Sequence, residues 1–277
     1  MINRDAHEAN RLSWNSATVA HNRHKGDQAA FLRNGGSTLF PEEIGLLGDL
    51  AGQRVVHLQC NAGQDTLSLH RLGAAELVGV DISDEAIAFA TELSDASGID
   101  ARFVRSDLFE WFGTEGGFDV AFASYGAIGW ISDLEAYFRG VAGALAPGGR
   151  YILVEFHPVM WIFDGQWRHG YPYSTHGEVL HEVGVGDYVA RSEGALGELA
   201  EVAPFSNPHP TQEFPWGLAE IISAALAAGL RLEHFAEYPY SNGCKVQEPM
   251  KLLPGNRWTV PEGTPELPLM YAIVARR

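Results

Sequence analysis

Between residues 54 and 156 the chain alternates strand and helix at a regular spacing, and this rhythm limits its possible folds more than any other feature. Arg54–Gln59 is a short apolar strand, and Thr66–Leu72 reads as a helix that ends near Gly73. Glu76–Asp81 is a second strand. Ser83-Asp84-Glu85 then caps a helix over Ala86–Ser97, which Gly98 closes. Ala101–Arg105 and Phe118–Ala123 are the third and fourth strands. Leu134–Leu145 is a helix stopped by Pro147-Gly148-Gly149, and Arg150–Phe156 is the fifth strand. Alternation at crossover length predicts parallel strands with helices packed against them. The expected fold class is therefore α/β: a doubly wound, mostly parallel, seven-stranded sheet with helices on both faces. An N-terminal helical segment precedes it, and an insertion follows strand five.

Outside this block the signals are weaker. Residues 1–50 read as helical. Residues 158–215 are rich in Gly, Pro, His and aromatics, and Tyr188–Ala203 has the pattern of a hairpin. Order returns with a helix over Gly217–Ala228, a strand at Leu230–Glu237 and a last strand at Leu267–Ala275. We expect a single domain. Its parts are a helical cap (1–50), a core (51–157), a lid insertion (158–215) and a closing helix with strands (216–277).

The formal charge of -16, with no basic run, argues against a nucleic-acid substrate, since phosphate binding needs clustered Lys and Arg. A polar N-terminus and the lack of a long apolar run predict neither signal peptide nor membrane span. Cys60 and Cys244 read as two reduced thiols in a cytoplasmic protein. His169, His176 and His181 match no standard metal spacing, so no metal is expected. A small-molecule ligand and a monomer or homodimer fit this profile.

In an open parallel sheet, ligands bind beyond the carboxyl ends of the strands, where strand order reverses. That rule selects the loop Gln59 to Asp65 with Cys60, Asn61 and Gly63, then Asp81, Asp107, the loop Ser124 to Trp130, and Glu155-Phe156-His157. Asp81 follows an apolar strand, where a carboxylate can accept from both hydroxyls of a ribose. Ser83 is the better helix cap, which leaves Asp81 available. Asp107 can accept the exocyclic amine of an adenine packed on Leu108 and Ile82, or it can be a turn aspartate.

These residues together resemble class I S-adenosylmethionine-dependent methyltransferases over residues 54–156. More narrowly, His57-Leu58-Gln59-Cys60-Asn61-Ala62-Gly63-Gln64-Asp65-Thr66, Ser124-Tyr125-Gly126 through Trp130 and Glu155-Phe156-His157-Pro158 are similar to a bacterial small-molecule branch of that family. The resemblance implies S-adenosylmethionine as cofactor, held by Gln59, Cys60, Asn61, Gly63, Asp65, Asp81, Ile82, Asp107, Leu108 and Ser124. The family's usual loop has an acid and three glycines where this chain has His57, Gln59, Asn61 and Gly63. Asn tolerates positive φ. Gln59 is expected to restrict close backbone approach.

On the acceptor side, Trp14, His21, Tyr125, Trp130, Trp161 and Trp167 are candidate substrate residues, because aromatic walls suit a flat or cationic acceptor. His157 is placed to act as a general base, with Glu155 on the same side of the strand. Alternatively, it is a structural histidine before Pro158. The expected reaction is methyl transfer to N, O or C of a small aromatic or heteroaromatic metabolite. Two alternatives share the fold: a non-methylating reaction, motivated by the unusual loop, and a non-catalytic cofactor sensor.

Overall fold

The structure, a computed structural model, describes residues 1–191 and 205–277. Three helices open the chain: α1 (Arg4–Asn22), α2 (Gln28–Arg33) and α3 (Pro41–Leu47). Then come β1 (Arg54–Leu58), α4 (Gln64–Ser68), β2 (Glu76–Asp81), α5 (Asp84–Ser97), β3 (Arg102–Arg105), α6 (Leu108–Trp111) and β4 (Phe118–Ser124). Next are α7 (Leu134–Ala144), β5 (Leu145–Phe156), β6 (Leu180–Glu182), α8 (Tyr188–Arg191), β7 (Thr211–Glu213), α9 (Leu218–Ala227) and β8 (Arg231–Tyr238). Three short strands, β9 (Ser241–Asn242), β10 (Lys251–Leu253) and β11 (Arg257–Thr259), precede β12 (Met270–Arg276).

The main sheet has seven strands in the order β3-β2-β1-β4-β5-β12-β8. The first five run parallel, and β12 is antiparallel to both β5 and β8. This is the fold class that the sequence implied. Its central strands are apolar throughout because both faces are covered. On β1, Val55 packs into one core layer with Val120, Phe122 and Ile152, while Val56 packs into the other with Tyr137, Tyr151 and Tyr271. Strand order reverses between β1 and β4, and the loops there define the ligand end of the sheet.

Some boundaries differ from expectation for local reasons. The helix over Thr66–Leu72 begins earlier, at Gln64, and tightens to a 3-10 turn over Leu69–Leu72. The fifth strand starts at Leu145, because Pro147-Gly148-Gly149 forms a register shift against β4 in place of a separate turn. A Cβ on Gly149 would lie 2.8 Å from the Phe118 carbonyl oxygen, so this close approach needs glycine. The last strand runs Met270–Arg276. The hairpin expected over Tyr188–Ala203 is replaced at its start by helix α8; residues 192–204 lie outside the described residues.

Helix α1 has an unusual inward face. Its buried positions His7, Asn10, Ser13, Ala17, Ala20 and His21 recur at helical spacing but are polar or small. Apolar burial cannot hold such a face, so hydrogen bonds do. Asn10 exchanges two bonds with the Gln212 backbone in β7, at 2.7 and 2.8 Å. Ser13 accepts from the Val185 N–H at 3.1 Å, and Ser83 donates to Asn15 at 2.7 Å. The helix thereby bridges the ends of the sheet strands and the segment inserted after β5. Among the described residues, no helix is long and apolar enough to cross a membrane.

Candidate active site

Asp81 ends β2 and is 9% exposed. One carboxylate oxygen accepts the Ser83 N–H and the other the Asn61 N–H, each at 2.8 Å. The Ile82 N–H also acts on the carboxylate, and acceptor capacity remains beside these donors. Burial pushes the Asp81 carboxyl up, opposed by these same N–H donors, so two further hydroxyl donors would stabilise its charged form. Beneath it, the loop after β1 takes positive φ at Gln59 (55°), Asn61 (47°) and Gly63 (79°). The loop thus has left-handed geometry even where glycine is missing. Asn61 eases this through its side-chain oxygen, which accepts from Ala62 N–H at 2.7 Å. Gln59 is held by its Nε2, which donates to the Ala127 carbonyl at 2.9 Å and ties the β1 and β4 loops together. Gly63 has a packing reason as well: a Cβ there would lie 2.7 Å from Ala90 Cβ and 2.8 Å from the Phe103 ring. Cys60 is turned inward. It is 3% exposed, so any ligand contact from it is through the backbone.

Asp107 caps α6 by accepting Phe109 N–H at 2.8 Å, and its other oxygen lies 2.7 Å from His7 Nδ1. Burial opposes ionisation, but the His7 ring and the cap N–H win, and the carboxyl sits below its ordinary range. Sequence alone missed His7, whose ring also stacks on Phe109 at 5.3 Å. Leu108 is 5% exposed and packs in the main core, while Ile82 stays half-buried beside Asp81. Of the two residues expected to sandwich an adenine, Ile82 is therefore the better placed.

Where β1 and β4 diverge, Asp65 accepts from the Thr38 hydroxyl at 2.5 Å and lies 3.4 Å from the Ser124 hydroxyl. His57, where the resembled family usually has an acid, is buried with Nδ1 2.8 Å from Thr66 Oγ1 and Nε2 3.4 Å from Ser124 Oγ. Burial holds its pKa at about 4, with Asp65 pulling the other way. An unfolded imidazole titrates near 6.5 and this folded one near 4, so acid draws protons, and hence the chain, toward the unfolded state. Stability from His57 is complete above about pH 6.5 and is lost as pH falls toward 4. Buried carboxylates with raised pKa values act with the opposite sign, so the contribution is read by difference. Between pH 7 and 5, urea unfolding of His57→Gln should show roughly 2 kcal/mol less loss than wild type. Equal pH dependence in the two proteins would contradict this account.

Tyr125, just past β4, has φ of 38°, an uncommon conformation for an aromatic residue. Its hydroxyl accepts from Asn242 Nδ2 at 3.0 Å, and its N–H donates to the Val154 carbonyl at 2.8 Å. Asn242 also donates to Glu42 at 3.1 Å, and Glu42 accepts from Tyr240 (2.7 Å) and pairs with Arg257. Glu43 is fully buried beside this group; burial and the nearby Asp65 push its pKa well above the ordinary value. This C-terminal contribution was absent from the sequence reading. The Pro254-Gly255-Asn256 turn between β10 and β11 was its one legible signal.

Four aromatic residues meet near this end of the sheet. Trp14 of α1 packs edge-on to Trp130 at 5.6 Å and to His21 at 6.3 Å, and His21 lies 4.3 Å from Tyr188. Burial raises the Tyr188 pKa, and the charges of Cys244, Asp187, Asp65 and Asp81 add to the effect. Trp161 and Trp167 lie on the Tyr125 side of this end of the sheet. Trp161 packs on Phe156 at 5.9 Å and is 43% exposed, while Trp167 packs on Phe163 at 5.2 Å. Phe156 in turn lies 5.5 Å from Tyr125, and Trp167 packs against the same cluster, so these two tryptophans border the Tyr125 side and not the Trp14 cluster.

For His157 the geometry favours the alternative, a structural histidine. Its Nδ1 accepts Val159 N–H at 3.1 Å, so Nε2–H donates to Glu237 at 2.9 Å, and both ring nitrogens are committed. This geometry makes it the cap of a short 3-10 turn (Pro158–Ile162) rather than a general base. Glu155 does not join it. It turns to the β4 loop and accepts the N–H groups of Gly126, Ala127, Ile128 and Phe156.

Comparisons with known proteins agree with this geometry. Residues 55–149 match the family model described as a methyltransferase domain. A demethylmenaquinone methyltransferase of Thermus thermophilus is 30% identical over 116 residues, which is 42% of this chain and 52% of the relative. A 27-O-demethylrifamycin SV methyltransferase of Amycolatopsis mediterranei is 25% identical over 138 residues, 49% of this chain and 50% of the relative. The chain thus spans about half the length of these curated relatives. A solved S-adenosylmethionine-dependent methyltransferase from Mesorhizobium loti superposes with a TM-score of 0.57 at 21% identity, covering 88% of this chain and all of that one. Residues 55–149 are thus similar to a methyltransferase domain, and the chain has the fold of solved S-adenosylmethionine-dependent methyltransferases.

Proposed function

We propose that this protein transfers a methyl group from S-adenosylmethionine to N, O or C of a small aromatic or heteroaromatic acceptor. The carrying observation is Asp81, a buried carboxylate beside the strand-order reversal with acceptor capacity beyond its backbone donors. Asp81 would take the two ribose hydroxyls, and Ile82 with the Asp107 region would border the adenine. The backbone of Gln59 to Gly63 would line the path toward Asp65 and Ser124. S-adenosylmethionine, when bound, supplies an electrophilic methyl carbon on a sulfonium. The chain's part is then alignment, which such a displacement needs more than acid or base. Trp14, Trp130, His21 and Tyr188 would stack a flat acceptor and exclude water, and their faces suit positive charge. The reading of a non-methylating reaction loses its motive, since Gln59 and Asn61 adopt the backbone geometry that glycines would give.

The test is to incubate the full chain with methyl-labelled S-adenosylmethionine and a metabolite extract. Label is expected in a low-mass aromatic product with equimolar S-adenosylhomocysteine, and Trp130→Ala should slow this roughly tenfold or more through misplacement of the acceptor. Label found only on protein or RNA would overturn the acceptor class, and S-adenosylhomocysteine formed without a methylated product would overturn methyl transfer to an acceptor.

A further inference from the structure

Trp14, Thr18 and His21 occupy positions i, i+4 and i+7 of α1, so they share one stripe of the helix. Thr18 (0% exposed) and His21 (1%) are buried, while Trp14 is half-buried. His21 Nε2 lies 3.0 Å from the Gly186 carbonyl oxygen. A carbonyl can only accept, so the ring proton sits on Nε2, and Nδ1 carries a lone pair. Among the described residues that lone pair has no hydrogen-bond partner, and neither has the Thr18 hydroxyl one turn earlier. Buried polar atoms are ordinarily satisfied, so two such atoms on one stripe call for a polar ligand.

The surroundings say what kind of ligand. Trp14 lies 6.3 Å from His21 and 5.6 Å from Trp130, and Tyr188 lies 4.3 Å from His21. Trp130 and Tyr188 are half-buried like Trp14, so these rings are not sealed in the core. A lone pair among aromatic faces matches a flat ring that carries a hydrogen-bond donor on its edge. Resting on the acceptor reading above, we propose that His21 Nδ1 accepts the ring O–H or ring N–H of the methyl acceptor and takes its proton during transfer. The acceptor heteroatom bonds to the methyl carbon as the carbon–sulfur pair departs with S-adenosylhomocysteine, and His21 Nδ1 receives the proton. Charge balances, with an imidazolium replacing the sulfonium. Burial holds the His21 pKa at about 4 against the Gly186 carbonyl; Lys25 and His24 lower it further and Asp187 opposes them. The lone pair is therefore available at neutral pH. So weak a base suffices, because a ring oxygen or nitrogen that has gained a methyl while keeping its proton is a strong acid. The product fits less well, since its methyl replaces the donor hydrogen and leaves the lone pair unpaired.

Paired probes test this by binding. The full chain, saturated with S-adenosylhomocysteine, is titrated calorimetrically with indole and with N-methylindole, which differ only in a hydrogen or a methyl on the ring nitrogen. Wild type should prefer indole about tenfold, the worth of one buried hydrogen bond. His21→Phe keeps a flat ring without the lone pair and should bring the two probes within about twofold of each other. His21→Gln, whose amide can donate to Gly186 and still offer an oxygen, should keep part of the preference. In wild type itself, indole should shift the nitrogen NMR signal of His21 Nδ1 toward that of a hydrogen-bonded imidazole, and N-methylindole should not. In the labelled assay, His21→Phe should form product about a hundredfold more slowly while binding S-adenosylhomocysteine within about twofold. Equal affinity of wild type for the two probes overturns the proposal while preserving the aromatic site; a fixed water joining Thr18 to His21 would give that result. A preference for indole that survives in His21→Phe overturns it as well, and so does labelled product formed by that variant at the wild-type rate. Wild type binding neither probe overturns the aromatic acceptor reading itself.

Discussion

Glu155→Ala is expected to lower the unfolding free energy by on the order of 4 kcal/mol, more than any other polar substitution considered. Glu155 is 3% exposed, and its two oxygens accept four backbone N–H groups: Ala127 and Phe156 at 2.6 Å, Ile128 at 3.0 Å, and Gly126. Three of these donors belong to the turn after β4, where Tyr125 and Gly126 both have positive φ and no sheet partner can serve them. Removing the carboxylate strands several buried donors at once, each costing about 1–3 kcal/mol unless water enters to replace part of the loss. Glu155→Gln should fall between wild type and alanine, because its amide keeps one acceptor oxygen but turns N–H groups toward other N–H groups. Urea unfolding of the three proteins measures this. A change under about 1 kcal/mol for Glu155→Ala would show that the loop does not depend on the carboxylate. Because the same loop positions Tyr125 and Trp130, the effect links strand β5 to the acceptor side of the site.

How much of this was legible in the sequence follows from what holds each part together. The inner parallel strands are buried on both faces, so β1, β2, β4 and β5 appear as apolar runs such as Glu76–Asp81 and Phe118–Ser124. Asp81, Gly63 and Asp65 were legible because strand topology places their positions at the ligand end. Helix α1 was less so: its inward face is built from His7, Asn10 and Ser13, which in a bare sequence look like a solvated surface. The partners that make that face structural, Asp107, Gln212 and Val185, are 100 or more residues away. The aromatic residues divided for a similar reason. Trp14 and Trp130 converge through α1 and the β4 loop, while Trp161 and Trp167 follow the turn that His157 caps. Composition could not separate the two groups. Glu155 read as a possible companion to His157 because strand alternation gives the side a residue faces and says nothing about which loop folds back to meet it.

The cofactor site makes the second large prediction. In Asp81→Ala the ribose hydroxyls lose a charged acceptor, with each such bond worth about 1.5–3 kcal/mol. The N–H groups of Asn61 and Ser83, 2.8 Å from the carboxylate, lose their acceptor as well, which loosens the left-handed turns at Gln59 and Asn61. Together these effects should weaken S-adenosylhomocysteine by about a hundredfold or more. Asp81→Asn should lose less, since one oxygen remains to accept. A matched thermal unfolding curve for each variant separates loss of the site from loss of the fold. Calorimetric titration of S-adenosylhomocysteine into wild type and Asp81→Ala tests the account most directly. It predicts saturable one-to-one binding to wild type and a hundredfold loss in a folded variant. Equal affinity in the two proteins would contradict the placement of the nucleoside on Asp81.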